Sequence, residues 1–239
     1  MKKLTTATAL FMPIARIMDN SDIEYVIRTL SKEDLDDVMA LHDVMLEALE
    51  EPSFFRKPSR EFIEKIISEA EMSIGITVEE KLVACRITSI PGDITNNRGI
   101  ELGIPVEDLK KTAHFEGTII HPEYRKLGLG KKIIKANIAM IDNTDLRHIV
   151  ATCHPDNYPI VKTFLDNDFV IKKLKKTYGN MLRFFMHRNR DANNTKEDNE
   201  KTIVDHIDYE TQMKLLDDGL VGVGIEKTDN GYSIIYSEK

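Results

Sequence analysis

Cysteine is scarce. Cys85 and Cys153 are the only two, each lies in a short apolar run, and no Cys-x-x-Cys spacing is present, so both read as small core thiols rather than a cystine framework or redox pair. His42, His148, His154, His187 and His206 show no i, i+4 pair or other metal-ligand spacing, which argues against a metal site. No apolar run approaches the roughly 20 residues that cross a bilayer. Positive charge is in deficit as well. With 33 Lys+Arg against 40 Asp+Glu the formal net charge is -7, a field that repels nucleic-acid phosphates and anionic lipid and suits an amine-bearing partner better. The pairs Lys172-Lys173 and Lys175-Lys176 read as a solvated strand edge. Signal-peptide character is lacking too: Lys2 and Lys3 precede a mostly apolar stretch, but Arg16 cuts it off and the only Ala-x-Ala, Ala7 to Ala9, comes too early for cleavage. These absences predict a cytoplasmic protein with no metal, nucleic-acid or membrane partner, in which residues 1–22 form an N-terminal arm.

What is present suffices for a core without staples: 41% of the 239 residues are hydrophobic and 31% charged, at a length where disulfides are unnecessary. From Ile23 onward strand-like and helix-like patterns alternate, the signature of a mixed sheet covered by helices. Tyr25 to Leu30 reads as a strand. Ser31 and Asp34 make a capping-box pattern, and Leu35, Val38, His42, Met45, Leu46 and Leu49 then recur at helical spacing. Phe62, Ile63, Ile66, Ile67 and Ala70 mark a second helix after Pro52 and Pro58. Met72 to Val78 and Leu82 to Ile90 flank Glu79-Glu80-Lys81 as a hairpin. The polar stretch from Pro91 to Thr112, with its amphipathic piece Val106 to Lys110, reads as a functional insertion. A strand (His114 to Ile120), a helix (Lys131 to Ile141), a strand (Arg147 to Cys153), a short helix (Asn157 to Asp166) and strands Phe169 to Leu174 and Met181 to Met186 complete a domain over residues 23–188.

Residues 189–202 read as a polar linker, and 203–239 as an appendage made of a helix, Tyr209 to Leu216 behind Asp208, and a hairpin about Asp229-Asn230-Gly231. Fewer than about 40 residues without disulfides hold too little core to stand alone. The appendage is therefore expected to dock on the main domain or on a second copy, as a structural or homodimer-forming piece.

The most informative stretch runs from Ile119 and Ile120 through His121-Pro122-Glu123-Tyr124-Arg125-Lys126-Leu127-Gly128-Leu129-Gly130, a strand end that turns into a helix. A helix N-terminus presents unpaired N–H groups to an anion. Glycines at 128 and 130 remove side chains that would keep a diphosphate off the backbone, and Arg125, Lys126, Lys131 and Lys132 reverse the local charge of an acidic chain. The Walker spacing and the three-glycine dinucleotide fingerprint are both absent. Arg125-Lys-Leu-Gly128-Leu-Gly130 resembles the [Gln/Arg]-x-x-Gly-x-[Gly/Ala] signature of the GNAT superfamily of acyl-CoA-dependent N-acetyltransferases. Asn157, then Phe164, then Asp168-Phe169 parallel that family's Asn, aromatic and Gly-Phe spacing, and the resemblance covers roughly Glu24 to Arg188.

The resemblance implies an α/β (α+β mixed-sheet) fold with a GNAT-like β-α-α-β-β-β-α-β-α-β-β core, and acetyl-CoA as co-substrate. By matching position, the backbone of Ile119 and Ile120, with His121, would face the pantetheine; Arg125, Lys126, Leu127, Gly128, Leu129 and Gly130 would hold the diphosphate; Asn157 would bond the pantetheine arm or order a water. Where the family often has a tyrosine acid this chain has Phe164, which cannot donate a proton, and Tyr158 and Tyr178 are the substitutes nearest in sequence. Asp168 stands where glycine is usual, a position tolerant of Asp because Asn and Asp accept left-handed backbone.

Acyl transfer to an amine needs a group that takes the ammonium proton. Period-2 alternation places His114, Glu116, Thr118 and Ile120 on one strand face, and His114 and Glu116 are the candidate catalytic bases, acting directly or through water. Glu101, Glu107 and Asp108 in the insertion are either a cationic-amine attractor or a solvated acidic loop. The leading reading is an N-acetyltransferase that moves an acetyl group from acetyl-CoA to a primary amine of a small molecule or peptide by direct attack in a ternary complex. The alternative is a non-catalytic acyl-CoA-binding sensor or interaction module on the same fold, which Phe164 allows.

Overall fold

The alternating patterns fold into one mixed sheet with helices on both faces. A computed structural model describes residues 15–18, 23–92, 95–192, 200–229 and 231–238. In chain order these form strands β1 (Ala15–Met18) and β2 (Glu24–Thr29), helices α1 (Leu35–Glu47) and α2 (Arg60–Glu69), and strands β3 (Ile74–Val78), β4 (Lys81–Ser89) and β5 (Thr112–Ile120). Helix α3 (Leu129–Asp142), strand β6 (His148–Cys153), helix α4 (Tyr158–Leu165) and strands β7 (Val170–Thr177), β8 (Met181–Asn189) and β9 (Lys201–Asp205) follow. Helix α5 (Tyr209–Asp217) and strands β10 (Val221–Thr228) and β11 (Gly231–Ser237) end the chain. From β2 to β8 this is the expected order of elements. The strands lie in the order β1-β2-β3-β4-β5-β6-β8-β7-β10-β11-β9.

Local chemistry starts the helices. The Asp34 carboxylate accepts the Ser31 N–H at 2.8 Å ahead of α1, and Ser59 Oγ accepts the Phe62 N–H at 3.2 Å at the start of α2. Val38, Leu41 and Met45 of α1 and Ile63, Ile66 and Ile67 of α2 bury against Cys85, Ile87 and Ile119 on one sheet face. On the other face Ile133, Ile134, Ile138 and Ile141 of α3 pack with Ala113, Phe115 and Ile149. Each such side chain contributes about 1.5–3 kcal/mol on burial. Cys85 and Cys153 are both free and buried, and burial pushes each thiol up to about 12.

One irregularity positions the site. Ile87 opposes Gly117 across β4 and β5 while Thr88 opposes Phe115, so Glu116 is an extra residue, a β-bulge. The expected alternation therefore fails. His114, opposite Ser89, shares the α1/α2 face with Gly117 and Ile119, whereas Phe115, Thr118 and Ile120 turn toward α3. The bulge also coincides with a parting of strands: parallel β5 and β6 pair only from Thr112 with His148 to Phe115 with Ala151.

Two segments read as irregular contain strands. Ala15–Met18, inside the expected arm, pairs antiparallel with β2, and Lys201–Asp205, which begins inside the expected linker, pairs with β11. Strand pairing is a long-range property, so polar local composition did not reveal it. The rest of the arm, residues 1–14 and 19–22, and residues 193–199 of the linker lie outside the described residues. The C-terminal piece docks on the main sheet: Gly222 of β10 pairs with Ile171 of β7, and Tyr232, Ile234 and Tyr236 are buried. Among the described residues no helix is long and apolar enough to cross a membrane, and no group of His, Cys, Asp and Glu is arranged to hold a metal.

Candidate functional site

The loop between β5 and α3 is built to leave backbone uncovered. His121 Nδ1 accepts the Glu123 N–H at 3.3 Å, closing a 3-10 turn over Pro122–Tyr124, and the His121 N–H donates to Val83 O at 2.8 Å. Lys126 and Gly128 then take left-handed φ of 65° and 73°, and Gly128 caps α3. The first bond of the helix runs from Lys132 N to Gly128 O at 3.1 Å, so the N–H groups before it have no helical acceptor. A Cβ on Gly128 would meet nothing within 4 Å, and one on Gly130 only Ile120 Cδ1 at 4.0 Å. Space over this helix start is open. Leu129 is buried and anchors the turn, and the Arg125 guanidinium donates to Ala48 O at 3.4 Å, tying the loop to the end of α1.

Beside the loop runs the gap between β5 and β6. Past Phe115 the β6-facing edge of β5 has no partner strand among the described residues. Ile119 is buried against α1 and α2, and Ile120 packs toward α3, so their side chains serve the core and only their backbone borders the gap. Asn157 precedes α4 at the end of β6, where its carbonyl accepts from the Ile160 and Val161 N–H groups; its carboxamide has no protein partner among the described residues. Phe164 lies buried against Phe169 and Phe115, with ring centroids 4.9 and 6.2 Å away. The buried Arg86 guanidinium lies 3.7 Å over the Phe115 ring and bonds Thr118 Oγ1, while its Nε and Nη2 find no protein acceptor. Burial without a bonded carboxylate pushes Arg86 down to about 9. Asp168 takes a left-handed φ of 65°, as its tolerated substitution for glycine requires.

At the bulge, Glu116 and His114 meet around Arg98, which the insertion supplies. Ser89 Oγ donates to Glu116 Oε1 at 2.7 Å and Arg98 Nη2 lies 3.1 Å from Oε2. Burial alone would raise the Glu116 carboxyl, but the Arg98 charge and these hydrogen bonds outweigh it and hold it below the usual carboxylate range. His114 is 1% exposed, with Nδ1 3.1 Å from Arg98 Nη1 and Nε2 3.1 Å from Asn97 Oδ1. Burial first, then Arg98, pushes His114 down to about 4, so the ring is neutral near pH 7. The network fits an Nε2–H tautomer: Nε2 donates to Asn97 and Nδ1 accepts from Arg98.

Glu116 and Gly117 open onto a cavity of about 380 Å3 beneath the α1–α2 connection. Its walls include Phe55 and Arg56 of that connection, Phe62 of α2, Arg98, Thr152 of β6, Tyr178 of the β7–β8 turn, and Arg183 of β8. Gly117 and Thr152 flank the point where β5 and β6 part, so the cavity reaches the gap. Tyr178 stands between two guanidiniums, 5.2 Å from Arg56 and 5.6 Å from Arg98 by ring centroid, with its hydroxyl 3.3 Å from Thr152 Oγ1. Tyr158 instead packs on Tyr232, 5.0 Å between centroids. Glu101, Glu107 and Asp108 do not line the cavity; Glu101 pairs with Lys175, and Asp108 with Lys111 at 3.2 Å.

Residues 38–169 match the model of the acetyltransferase (GNAT) family. The chain belongs to the GNAT family. Solved structures of that fold align along nearly their whole length. The ribosomal-protein-S18-alanine N-acetyltransferase of Escherichia coli is 15% identical, with a TM-score of 0.50 over 72% of this chain and 98% of its own. The protein yncA of Salmonella typhimurium, solved with its cofactor acetyl-CoA, is 15% identical at a TM-score of 0.53 over 73% and 98%. The GNATL loading domain of CurA from Lyngbya majuscula is 16% identical at 0.51 over 70% and 98%. At these identities the likeness establishes the shared fold. No curated protein matches the chain.

Within this GNAT fold Arg125 to Gly130 follow the end of β5 and Asn157 follows the end of β6, the two parallel strands that part after Phe115 and Ala151. Of the two candidate bases, Glu116 lines the cavity and His114 does not. Sequence reading missed Asn97, Arg98, Arg56 and Arg183. Only the length of the insertion signalled the first two, and nothing in the order of residues marks Arg56 or Arg183 as neighbours.

Proposed function

We propose that this GNAT protein is an N-acetyltransferase that moves an acetyl group from acetyl-CoA to a primary amine by direct attack in a ternary complex. One observation carries the reading: β5 serves two clefts at once. Its unpaired edge after the bulge borders the gap that ends at the bare α3 start, while the bulged Glu116 carboxylate faces the adjoining cavity. Two substrates bound in these clefts would meet at one strand.

The residues present fit acetyl-CoA. The uncovered N–H groups at Leu129 and Gly130 and the side-chain-free approach over Gly128 suit a diphosphate, with Arg125 and Lys126 beside them. The β5 edge past Glu116 and the unengaged Asn157 carboxamide suit amide groups of an extended arm. Acetyl-CoA supplies the activated acyl carbon and a thiol leaving group. In this reading Glu116 accepts a hydrogen bond from the ammonium and takes its proton directly or through water, while Arg98 and Ser89 fix the carboxylate. His114, engaged at both ring nitrogens, positions Arg98 rather than touching substrate. Tyr178 is the phenol that lines the cavity, where Phe164 offers no hydroxyl. Holding amine and thioester together can remove roughly 7–11 kcal/mol of barrier, more than a general acid contributes. The reading keeps the protein in the cytoplasm and needs no metal in the reaction.

Free-thiol release from acetyl-CoA by the purified chain, across a panel of primary amines, tests the proposal. Amine-dependent release is expected. Acetyl-CoA binding with no release on any amine would favour the sensor, and no binding at millimolar acetyl-CoA would remove the reading altogether.

A further inference from the structure

The cavity beside Glu116 has the wrong charge for a simple amine. Arg56, Arg98 and Arg183 line it and Glu116 is the only carboxylate among its lining residues, a formal excess of two positive charges in a chain of net charge -7. His42, the remaining titratable base there, is buried and held below its usual value by desolvation, and its Nδ1 lies 2.8 Å from Val38 O. Arg98 is satisfied by Glu116. The other two are not matched by acids. Arg183 is 3% exposed and spends its hydrogen bonds on the carbonyls of Leu182 at 2.8 Å and Ser53 at 2.6 Å and on Met181 Sδ at 3.3 Å. Arg56 lies over Tyr178 and has no carboxylate partner among the described residues. A buried guanidinium without an acid is costly, a cost that Arg183 bears, while Arg56 stands exposed at the cavity rim, and an arriving anion would pair with both.

We infer that the acceptor carries a carboxylate as well as its amine, an amino-acid-like substrate whose carboxylate is held between Arg56 and Arg183 while its ammonium faces Glu116. This deepens the acetylation reading and rests on it. The cavity volume of about 380 Å3 suits a molecule of that size, at the small end of the roughly 300–1,000 Å3 typical of ligand pockets. Its apolar wall, Phe55, Phe62, Ile63 and Ile87, would take an apolar side chain. Arg56 and Arg183 thus sort substrates by charge, and Glu116 receives the opposite end of the same molecule.

The test compares each of the common amino acids that carries a primary amine with its carboxamide, which keeps the amine and loses the anion. Two readouts are used on the full chain: thermal shift with the compound alone, and thiol release at saturating acetyl-CoA. At least one acid should bind and react about tenfold better than its amide, as expected for loss of a charge-assisted pair. Arg56→Gln, at the rim, and Arg183→Met should each collapse that acid-to-amide ratio toward one, through KM more than kcat. Arg56→Gln alone keeps the test valid if the buried substitution unfolds the chain. Amides equal to or better than acids, no shift with any acid, or a ratio unmoved by Arg56→Gln would overturn the inference. Acid binding that depends on Arg56 but brings no thiol release would instead overturn the acetylation reading and leave the carboxylate site standing.

Discussion

Arg98 grips both carboxylate oxygens of Glu116, Nη2 to Oε2 at 3.1 Å and Nη1 to Oε1 at 3.3 Å, and the same Nη1 lies 3.1 Å from His114 Nδ1. A residue of the insertion thereby holds a bulged residue of β5 and its neighbour in one network. The arrangement separates two properties that general-base arguments often merge, position and basicity. Glu116 is well placed and permanently ionised near neutral pH, at the expense of proton affinity.

Glu116→Gln should lower kcat by about 10²–10⁴-fold, the range for loss of a positioned acid–base group, with little change in the KM for acetyl-CoA. Steady-state kinetics with the best amine checks it. Ser89→Ala, which removes only the 2.7 Å bond to Oε1, should cost far less. Unchanged kcat in Glu116→Gln would remove Glu116 from the chemistry.

Activity should rise with pH along the ionisation of the acceptor, not of the enzyme. Glu116 is held below the usual carboxylate range and His114 down to about 4, so neither gains or loses a proton between pH 6 and 9. A pH profile of kcat/KM with two amines of different basicity should show the rising limb moving with the amine. A limb fixed near pH 6–7 for both would assign it to the protein.

His114 should make the fold acid-sensitive. Its folded value of about 4 lies below the ordinary 6.5, so between those values the unfolded chain binds a proton that the folded chain does not. Stability is complete above pH 6.5 and falls as the pH drops toward 4, by about 3 kcal/mol from this residue at 1.36 kcal/mol per unit. Urea midpoints from pH 7 to 4 should fall less steeply for His114→Asn than for the parent, although His42, lowered by its own burial, keeps part of the slope.

Two substitutions at Gly130 separate fold from ligand. The new Cβ of Gly130→Ala touches only Ile120 Cδ1 at 4.0 Å, and alanine is the better helix former, so thermal stability should hold or rise by up to about 1 kcal/mol. Acetyl-CoA affinity should hold as well, because the signature this loop resembles takes Gly or Ala at that place, whereas Gly130→Glu, which sets a carboxylate over the same N–H groups, should lower it about tenfold or more. Calorimetry with acetyl-CoA measures both variants, and equal affinity in Gly130→Glu would clear the helix start of a role.

Ending the chain after Arg188 should destabilise it by several kcal/mol. Val221, Tyr232, Ile234 and Tyr236 are buried, Tyr209 donates to Asp156 at 2.8 Å, and removal would bare Ile171 and Tyr158, at about 1.5–3 kcal/mol per buried side chain. A Tm within a degree of the full chain would show the C-terminal strands to be dispensable.

The order of elements from β2 to β8, the apolar stripes of the helices and the loop from Arg125 to Gly130 were legible in the residues because each depends on neighbours in sequence: periodicity of Val38, Ile63 or Ile134, and the backbone freedom of Gly128. The strands at Ala15–Met18 and Lys201–Asp205 were not, since their partners β2 and β11 lie elsewhere in the chain. Nor was the bulge. Thr112 to Ile120 looks like uninterrupted alternation, and only pairing with β4 inserts Glu116 and turns His114 and Ile120 to opposite faces. Arg56, Arg98 and Arg183 come from three separate elements, so their convergence on one cavity is a product of packing alone. Local preferences determined where helices and strands form; the charge and shape of the acceptor cleft were decided by contacts between residues far apart along the chain.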